Sequence, residues 1–281
     1  MAEYKGELTD DDWAGEQGER WLANLDRFEA MIAPIGEALL TRAAYQPGER
    51  VVDIGCGGGA SSVAIGQAVG DQGEVLGVDI SPVLIAEASA RNDAGNVSFQ
   101  IADAGAVALK QAPFDRLHSR FGSMFFDKPH EAFGNLNAML KPGARIDLAV
   151  WASPRDNAWM MELMSVLRAH VDVPPSQPRA PGPFAFEDLE YLEQILASGG
   201  FNQMEVEAYQ GMQAIGGKDT SPQEAVHFVL GSLGIGKVLD DQPEAIRAAA
   251  SKNLLAMFED NYKQGEGILL GCKVWLISAT A

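Results

Sequence analysis

The chain has 281 residues, of which 47% are hydrophobic and 21% charged, a balance typical of a folded globular protein rather than a disordered one. Its formal net charge is −18, and it contains only 21 lysines and arginines. Because nucleic-acid binding depends on positively charged side chains, a nucleic-acid partner is not expected. The two cysteines cannot form a disulfide framework, and no Cys/His spacing resembles a zinc site, so no metal is predicted. Without a recognisable signal peptide or an apolar run of about 18 residues, a cytoplasmic protein with no membrane span is expected.

The N-terminal part of the chain is predicted to be helical. Apolar residues recur at helical spacing from Trp21 to Ile32, and Pro34 is expected to start a second helix over 35–44. Residues 1–46 are therefore predicted to form a helical lid.

From residue 47 to 151, short apolar runs alternate with helical patterns. The predicted strands are 51–54, 75–80, 97–102, 114–121 and 144–151, and the predicted helices include 61–69 and 129–140. A turn is expected at 141–143. Strands that alternate with helices of this length predict an α/β fold with a largely parallel sheet, covered by helices on both faces.

After Trp151 the pattern changes. Helices are predicted over 157–170 and 186–197 around a proline-rich loop, so 152–200 is expected to be a helical insertion that caps the substrate. Strands over 204–209 and 268–278 are predicted to pair as an antiparallel hairpin. Residues 201–281 would thus complete the core, with a helical insertion over 216–263.

A glycine-rich motif follows the first predicted strand. Gly55 and Gly57 stand between a strand and a helix, where glycine lets the backbone approach a ligand that a Cβ would exclude. With Ala60 they also satisfy the dinucleotide pattern G-x-G-x-x-G/A, and Asp79 follows at a suitable distance. An NAD site is therefore an open alternative at this point.

Three carboxylates separate the two kinds of cofactor. Asp53 precedes the glycines, where it would repel a pyrophosphate but attract an ammonium group, which favours S-adenosylmethionine (SAM) over NAD. Asp79 ends the second strand and could accept both ribose hydroxyls of either cofactor, so it supports nucleoside binding only. The alternative that Asp79 is a simple helix N-cap is weakened because Ser81 is suited to cap the next helix. Asp103 ends the third strand and could bind an adenine amino group, with Ala104 leaving room for the ring.

The order of the motifs resembles that of the class I SAM-dependent methyltransferases. The matching stretches are VVDIGCGGG at 51–59, VLGVDIS at 75–81, ADA at 102–104, FDRLHSRFG at 114–122 and LKPGAR at 140–145. The resemblance implies a Rossmann-like, doubly wound, mostly parallel seven-stranded sheet with a reversed last strand and a helical lid. It also implies a SAM site formed by Asp53, Gly55, Gly57, Asp79, Ile80, Asp103, Ala104 and Ser119.

A finer resemblance, through residues 119–126, is to the ubiquinone and menaquinone methyltransferases and related small-molecule enzymes. The segment between Trp151 and Gly267 is longer than in those quinone enzymes, so their substrate is not transferred to this chain.

Several residues are candidates for binding the substrate or for catalysis because of their positions in the predicted elements. His118, near the carboxyl end of a strand, is a candidate general base, although strand alternation could instead turn it into helix packing. Arg120 could steer an anionic substrate or, as we favour here, brace a carboxylate such as Asp79. An apolar substrate pocket is predicted from Trp21, Phe121, Met124, Phe125 and Trp151, which could equally be core residues.

The sequence therefore predicts transfer of a methyl group from SAM to an oxygen, nitrogen or carbon atom of a small apolar or aromatic molecule. One alternative is an NAD-dependent oxidoreductase, although the chain has no Tyr-x-x-x-Lys pair. The other is a SAM-binding protein that senses the ligand or performs other chemistry, because a fold reports binding better than reaction. A monomer or homodimer is expected.

Overall fold

A central mixed sheet organises the chain in the computed structural model, which describes residues 10–173 and 177–281. The strands are β1 (Arg50–Ile54), β2 (Glu74–Asp79), β3 (Val97–Ile101), β4 (Phe114–Arg120), β5 (Leu140–Trp151), β6 (Asn202–Ala214), β7 (Tyr262–Lys263) and β8 (Gly267–Thr280). The helices are α1 (Asp10–Ala14), α2 (Glu16–Ala23), α3 (Leu25–Ala43), α4 (Ala60–Val69), α5 (Pro82–Arg91), α6 (Pro129–Ala138), α7 (Ala158–Arg168), α8 (Leu189–Ser198), α9 (Pro222–Ser232), α10 (Gly234–Asp240) and α11 (Glu244–Asp260).

The sheet has the spatial order β3-β2-β1-β4-β5-β8-β6, and the two-residue β7 pairs only with β8. The strands β1 to β5 pair in parallel, whereas β8 runs antiparallel to both β5 and β6. Val51 and Val52 point to opposite faces of the sheet and are both fully buried, so helices cover both sides. The predicted α/β fold with its reversed last strand is confirmed, with β7 as an unpredicted eighth strand.

The topology also predicts where a ligand binds. The strand β1 has β2 on one side and β4 on the other, because the chain runs outward through β2 and β3 and then crosses back over β1 to β4. Such a switch point opens a crevice at the carboxyl ends of parallel strands, and ligands of open α/β sheets bind there.

Helix α3 differs from its prediction, because it continues through Pro34 as one helix of 19 residues. A proline inside a helix costs about 3 kcal/mol. However, Phe28, Ile35 and Leu39 are fully buried along one face of α3, and each such side chain contributes roughly 1.5–3 kcal/mol. Packing along the whole helix therefore outweighs the local effect of the proline, and the predicted break at Pro34 is wrong.

The C-terminal elements extend beyond their predicted limits. The strand β6 has 13 residues and β8 has 14, and they pair antiparallel as predicted. The turn expected at 141–143 lies inside β5, where Gly143 has a φ of +78°. The helical patterns over 222–230 and 243–262 predict two helices in the insertion, and the structure adds α10 between them.

The predicted cap over 152–200 divides into two parts. A cavity, described below, lies at the carboxyl end of the sheet. Helix α7 contributes Trp159 to its lining, whereas no residue of α8 lines it. Instead, α8 packs against α6 and β6 in the layer that covers the sheet. Residues 1–9 of the predicted lid and the prolines at 174 and 175 lie outside the described residues, and the domain boundaries stay predictions. Within the described ranges, no helix is both long and apolar enough to cross a membrane.

Candidate active site

One cavity lies at the carboxyl ends of β1 to β5. Its lining residues are Trp13, Trp21, Phe28, Glu29, Met31, Ile32, Asp53, Ile54, Gly55, Cys56, Gly57, Ser61, Val78, Asp79, Ile80, Leu84, Ala102, Asp103, Ala104, Arg120, Phe121, Gly122, Met124, Phe125, Phe126, Trp151, Trp159, Pro183 and Leu233. We call the part formed by the ends of β1, β2 and β3 the carboxylate end. The part formed by β4, β5, α3 and α7 is the aromatic end.

The glycine loop after β1 forms one wall of the carboxylate end. Gly55 and Gly57 have φ values of +67° and +53°, in the left-handed region that favours glycine. A Cβ on Gly55 would lie 2.6 Å from the Cα of Gly122, whereas a Cβ on Gly57 would meet nothing closer than the Trp21 Nε1 at 4.0 Å. Gly55 is therefore required for close packing of two backbone segments. Gly57 has no such close neighbour, so at this position the backbone of the loop faces the cavity directly.

Asp79 braces this loop from the end of β2. Its Oδ2 accepts a hydrogen bond from the Gly57 amide at 2.8 Å, and its Oδ1 accepts one from the Ser81 amide at 2.9 Å. Burial raises the pKa of the Asp79 carboxyl above its usual range. Ser81 occupies the N-cap position of α5, with Pro82 in the first turn, as predicted, but its hydroxyl makes no side-chain cap hydrogen bond.

Asp53 is almost inaccessible, at 1% exposure, and accepts a hydrogen bond from the Ser62 hydroxyl at 2.6 Å. Burial raises the pKa of Asp53 to about 7, against the lowering effects of the Ser62 hydrogen bond and the Arg120 charge. A buried carboxyl with a raised pKa is poised to gain from a cation placed beside it.

Asp103 and Ala104 complete the carboxylate end after β3. The Asp103 Oδ1 accepts a hydrogen bond from the Gly105 amide at 2.8 Å, which fixes the side chain. Ala104 is buried, and its carbonyl accepts a hydrogen bond from the Asn135 amide group at 2.9 Å. These contacts hold the third carboxylate and the neighbouring small side chain on the same wall as Ile80.

Ser119 is a brace beneath the cavity rather than part of its lining. Its hydroxyl donates to the Ile54 carbonyl at 2.8 Å and accepts from the Ser123 amide at 3.1 Å. The side chain thereby ties the end of β4 to β1 and to the following turn.

His118 does not lie in the cavity. The ring is fully buried, and its Nδ1 lies 3.0 Å from the Tyr45 hydroxyl. Burial, followed by the charges of Arg120 and Arg116, lowers the pKa of His118 to about 3. The structure therefore corrects the hypothesis that His118 is a general base: its side chain lies too deep along β4, two residues before the strand end.

The five residues predicted to form an apolar pocket all line the cavity. Phe121 and Trp151 stack with ring centroids 4.5 Å apart, and Trp21 stacks on Phe28 at 3.7 Å. Phe121 has a φ of +65°, a strained conformation for a bulky side chain that is typical of functional sites. The aromatic end is thus a wall of stacked rings.

Several residues of the aromatic end were not singled out from the sequence. Phe28 and Met31 belong to the helical stripe of α3, where periodicity alone cannot separate core from cavity lining. Leu233 precedes the unpredicted α10. Glu29 gave no local signal, since charged residues on helices are usually solvated.

Glu29 matters because it pairs with Arg120. The Arg120 Nη2 donates to the Glu29 Oε2 at 2.6 Å, and the two side chains are 9% and 23% exposed. Arg120 thus braces a carboxylate as predicted, but that carboxylate is Glu29 of α3 and not Asp79.

Residues 51–143 match the model of a family described as a methyltransferase domain. Residues 51–143 therefore form a methyltransferase domain. The match spans the glycine loop, the three carboxylates and the end of β4, so the predicted resemblance is confirmed. It favours SAM over the NAD-dependent alternative, which shared the glycine pattern.

Relatives of the methyltransferase domain act on different molecules. The aklanonic acid methyltransferase DauC of a Streptomyces species is 33% identical over 116 residues, which are 40% of this chain and 53% of that protein. The ubiquinone/menaquinone biosynthesis C-methyltransferase UbiE of Teredinibacter turnerae is 28% identical over 116 residues, 40% of this chain and 47% of that protein. The chain therefore spans about half the length of these relatives.

Likeness in structure extends over more of the chain. The YcgJ protein of Bacillus subtilis superposes with a TM-score of 0.56 and 19% identity, covering 87% of this chain and 97% of that one. At this identity the likeness shows the fold alone.

The position of His118 in the methyltransferase domain leads to a prediction. Replacing His118 with leucine is expected to leave the affinity for S-adenosylhomocysteine within about twofold, because the ring lies outside the cavity. The free energy of unfolding should fall by about 1 kcal/mol, since the Tyr45 hydroxyl loses its partner. Calorimetric titration and urea denaturation measure the two quantities. A tenfold loss of affinity at unchanged stability would return His118 to the site.

Proposed function

We propose that the protein transfers the methyl group of SAM to an oxygen, nitrogen or carbon atom of a small apolar or aromatic molecule. The observation that carries this proposal is the shared cavity. Asp53, Asp79 and Asp103, from the ends of three neighbouring strands, line one end, and stacked aromatic rings line the other. When bound, SAM supplies an electrophilic methyl group.

The carboxylate end fits the polar groups of SAM. We assign Asp53 to the ammonium group, since a cation compensates for the burial that raises its pKa. Asp79 would accept the ribose hydroxyls, held in place by the Gly57 and Ser81 amides. Asp103 would accept the adenine amino group. Gly55 shapes the loop beside them.

Ile80 and Ala104 would flank the adenine ring, and Ser119 would act through the backbone that its hydroxyl ties together. Trp21, Phe121, Met124, Phe125 and Trp151 would hold the acceptor and exclude water. Because a displacement in line with a leaving sulfur depends on alignment, these residues would contribute to the rate mainly by positioning.

Replacement of Asp79 by alanine tests the cofactor assignment. The variant loses both the acceptor for ribose and the brace of the glycine loop, so the affinity for S-adenosylhomocysteine should fall by about 100-fold. Calorimetric titrations with SAM, S-adenosylhomocysteine and NAD, on the wild type and the variant, measure this. Tight NAD binding by the wild type without any SAM heat would contradict the proposal.

Catalysis is tested separately from binding. Incubation with methyl-labelled SAM and a metabolite extract should label a low-molecular-weight product. If SAM binds but no extract accepts the label, a sensing role or another reaction replaces methyl transfer. A cytoplasmic location, a small-molecule partner without nucleic acid, and a monomeric or homodimeric state stay predictions.

A further inference from the structure

The ion pair between Arg120 and Glu29 is the feature of the cavity that cofactor binding leaves unexplained. A guanidinium has five N–H groups, and in Arg120 only Nη2 donates to an atom of residues 10–173 and 177–281. The side chain is 9% exposed and lines the cavity. Arg120 therefore offers unused, charged donors to a ligand in a largely buried position.

The fold makes room for this guanidinium. Gly36 lies in the interior of α3, where glycine costs about 1 kcal/mol relative to alanine. A Cβ at this position would lie 2.8 Å from the Arg120 Nη1 and 3.4 Å from its Cδ. Gly36 thus lets α3 pass directly over Arg120, which limits where the head group can move.

The pair lies where the two ends of the cavity meet: the charges of Arg120 and Glu29 act on Asp53, whereas the neighbouring rings belong to the aromatic end. Arg120 ends β4 directly before Phe121, and Glu29 follows Phe28 in α3, and both aromatic residues line the cavity. The carboxylates that suit the cofactor come from β1, β2 and the residues after β3. Among stacked rings the local dielectric is low, so a charged donor binds an anionic oxygen more strongly than it would in water.

We propose that Arg120 binds an anionic oxygen of the methyl acceptor, so that the acceptor is a flat aromatic carboxylate or ionised phenol rather than an amine. This inference rests on the proposed methyl transfer. Glu29, the more exposed partner, holds the guanidinium in place until the acceptor shares it.

The chemistry of an ionised acceptor agrees with the position of His118. A lone pair of the anionic oxygen forms the new bond to carbon, and the electron pair of the broken carbon–sulfur bond stays on sulfur. The negative oxygen and the positive sulfonium become a neutral methyl ester or ether and a neutral thioether. No proton has to be removed during transfer, so no general base is needed.

Matched probes test this inference on the full chain saturated with S-adenosylhomocysteine. Calorimetry compares 2-naphthoate with its neutral isostere 2-naphthamide and with 2-naphthylmethylammonium. We expect the wild type to bind 2-naphthoate at least about tenfold more tightly than either analogue. Arg120→Met should abolish this preference, and Arg120→Lys should retain part of it, because an ammonium lacks the planar fork.

The variant Glu29→Gln should change the affinity for 2-naphthoate in the direction opposite to Arg120→Met. Removing the competing carboxylate should raise the affinity for 2-naphthoate by a few-fold, which a merely structural ion pair would not do. Arg42→Met is the control, since Arg42 also joins α3 to the sheet through a glutamate, Glu207 at 2.8 Å, but does not line the cavity. The variant Arg42→Met should prefer 2-naphthoate over the two analogues by the same factor as the wild type.

Two results would overturn the inference. One is a wild type, saturated with S-adenosylhomocysteine, that does not prefer 2-naphthoate. The other is an Arg120→Met variant that loses tenfold in affinity for S-adenosylhomocysteine but none for 5′-methylthioadenosine, because the guanidinium would then bind the carboxylate of the cofactor. A wild type that binds no S-adenosylhomocysteine at all would instead contradict the methyl-transfer function itself.

Discussion

Replacement of Asp53 by asparagine is expected to stabilise the free protein at neutral pH. The wild-type carboxyl has a pKa of about 7 in the fold against 3.8 for the unperturbed group, because burial disfavours its charged form. Ionisation therefore costs the folded state roughly 4 kcal/mol once the pH exceeds about 7. Asparagine removes this cost and still offers an oxygen to the Ser62 hydroxyl.

The sign of this effect sets its pH dependence. Below about pH 4 the carboxyl is protonated in both the folded and the unfolded state, so wild type and Asp53→Asn should differ little. As the pH rises to about 7, the unfolded wild type ionises first, and the advantage of the variant should grow to its full value. Urea denaturation at pH 4.5, 6 and 8 measures the trend. A difference that is equal at all three values would show that Asp53 does not titrate in this way.

The same variant should bind the cofactor poorly. If the Asp53 carboxylate pairs with the ammonium group, the wild-type affinity for S-adenosylhomocysteine should fall by up to about tenfold per pH unit below 7. In Asp53→Asn the affinity should be low at every pH. The control ligand 5′-methylthioadenosine has no ammonium group, and its binding should change little with pH or substitution. Equal pH dependence for both ligands would contradict the assignment of Asp53.

Replacement of Gly55 by alanine should have the largest effect on the glycine loop. The new Cβ would lie 2.6 Å from the Cα of Gly122, and neither backbone segment can move without disturbing β1 or β4. The left-handed φ of +67° adds about 1 kcal/mol of strain and overpacking adds about 1–3 kcal/mol. We expect a total loss of roughly 2–4 kcal/mol in the free energy of unfolding, and about a 100-fold weaker affinity for S-adenosylhomocysteine.

Gly48→Ala is the matched control for this experiment. Gly48 also has a positive φ, of +87°, but a Cβ there would meet nothing within 4 Å. The control should lose only about 1 kcal/mol and keep its cofactor affinity. Gly122→Ala approaches the same contact from the other side, at 2.8 Å from the Gly55 Cα, and should behave like Gly55→Ala. Equal losses in Gly48→Ala and Gly55→Ala would show that strain, not close packing, requires Gly55.

Local sequence was sufficient to locate the carboxylate end of the cavity. Asp53 and Asp79 lie near the ends of two short apolar strands and Asp103 follows a third, and the carboxyl ends of parallel strands meet at one edge of a sheet. Alternating strands and helices were likewise enough to predict the parallel sheet, whereas its reversed last strand was implied by the resemblance to the class I methyltransferases. Both conclusions need only the order of elements and the residues at their ends.

The aromatic end depended on contacts between residues far apart in the chain. Arg120 meets Glu29 across 91 positions, and His118 meets Tyr45 across 73, so no spacing in the sequence reveals either pair. The helix through Pro34 has the same origin, because burial of its whole apolar face outweighs one unfavourable residue. Strand alternation gives the face on which a side chain lies. How deep that side chain sits, and hence whether Arg120 or His118 reaches the cavity, was decided by the packing of α3 against the sheet.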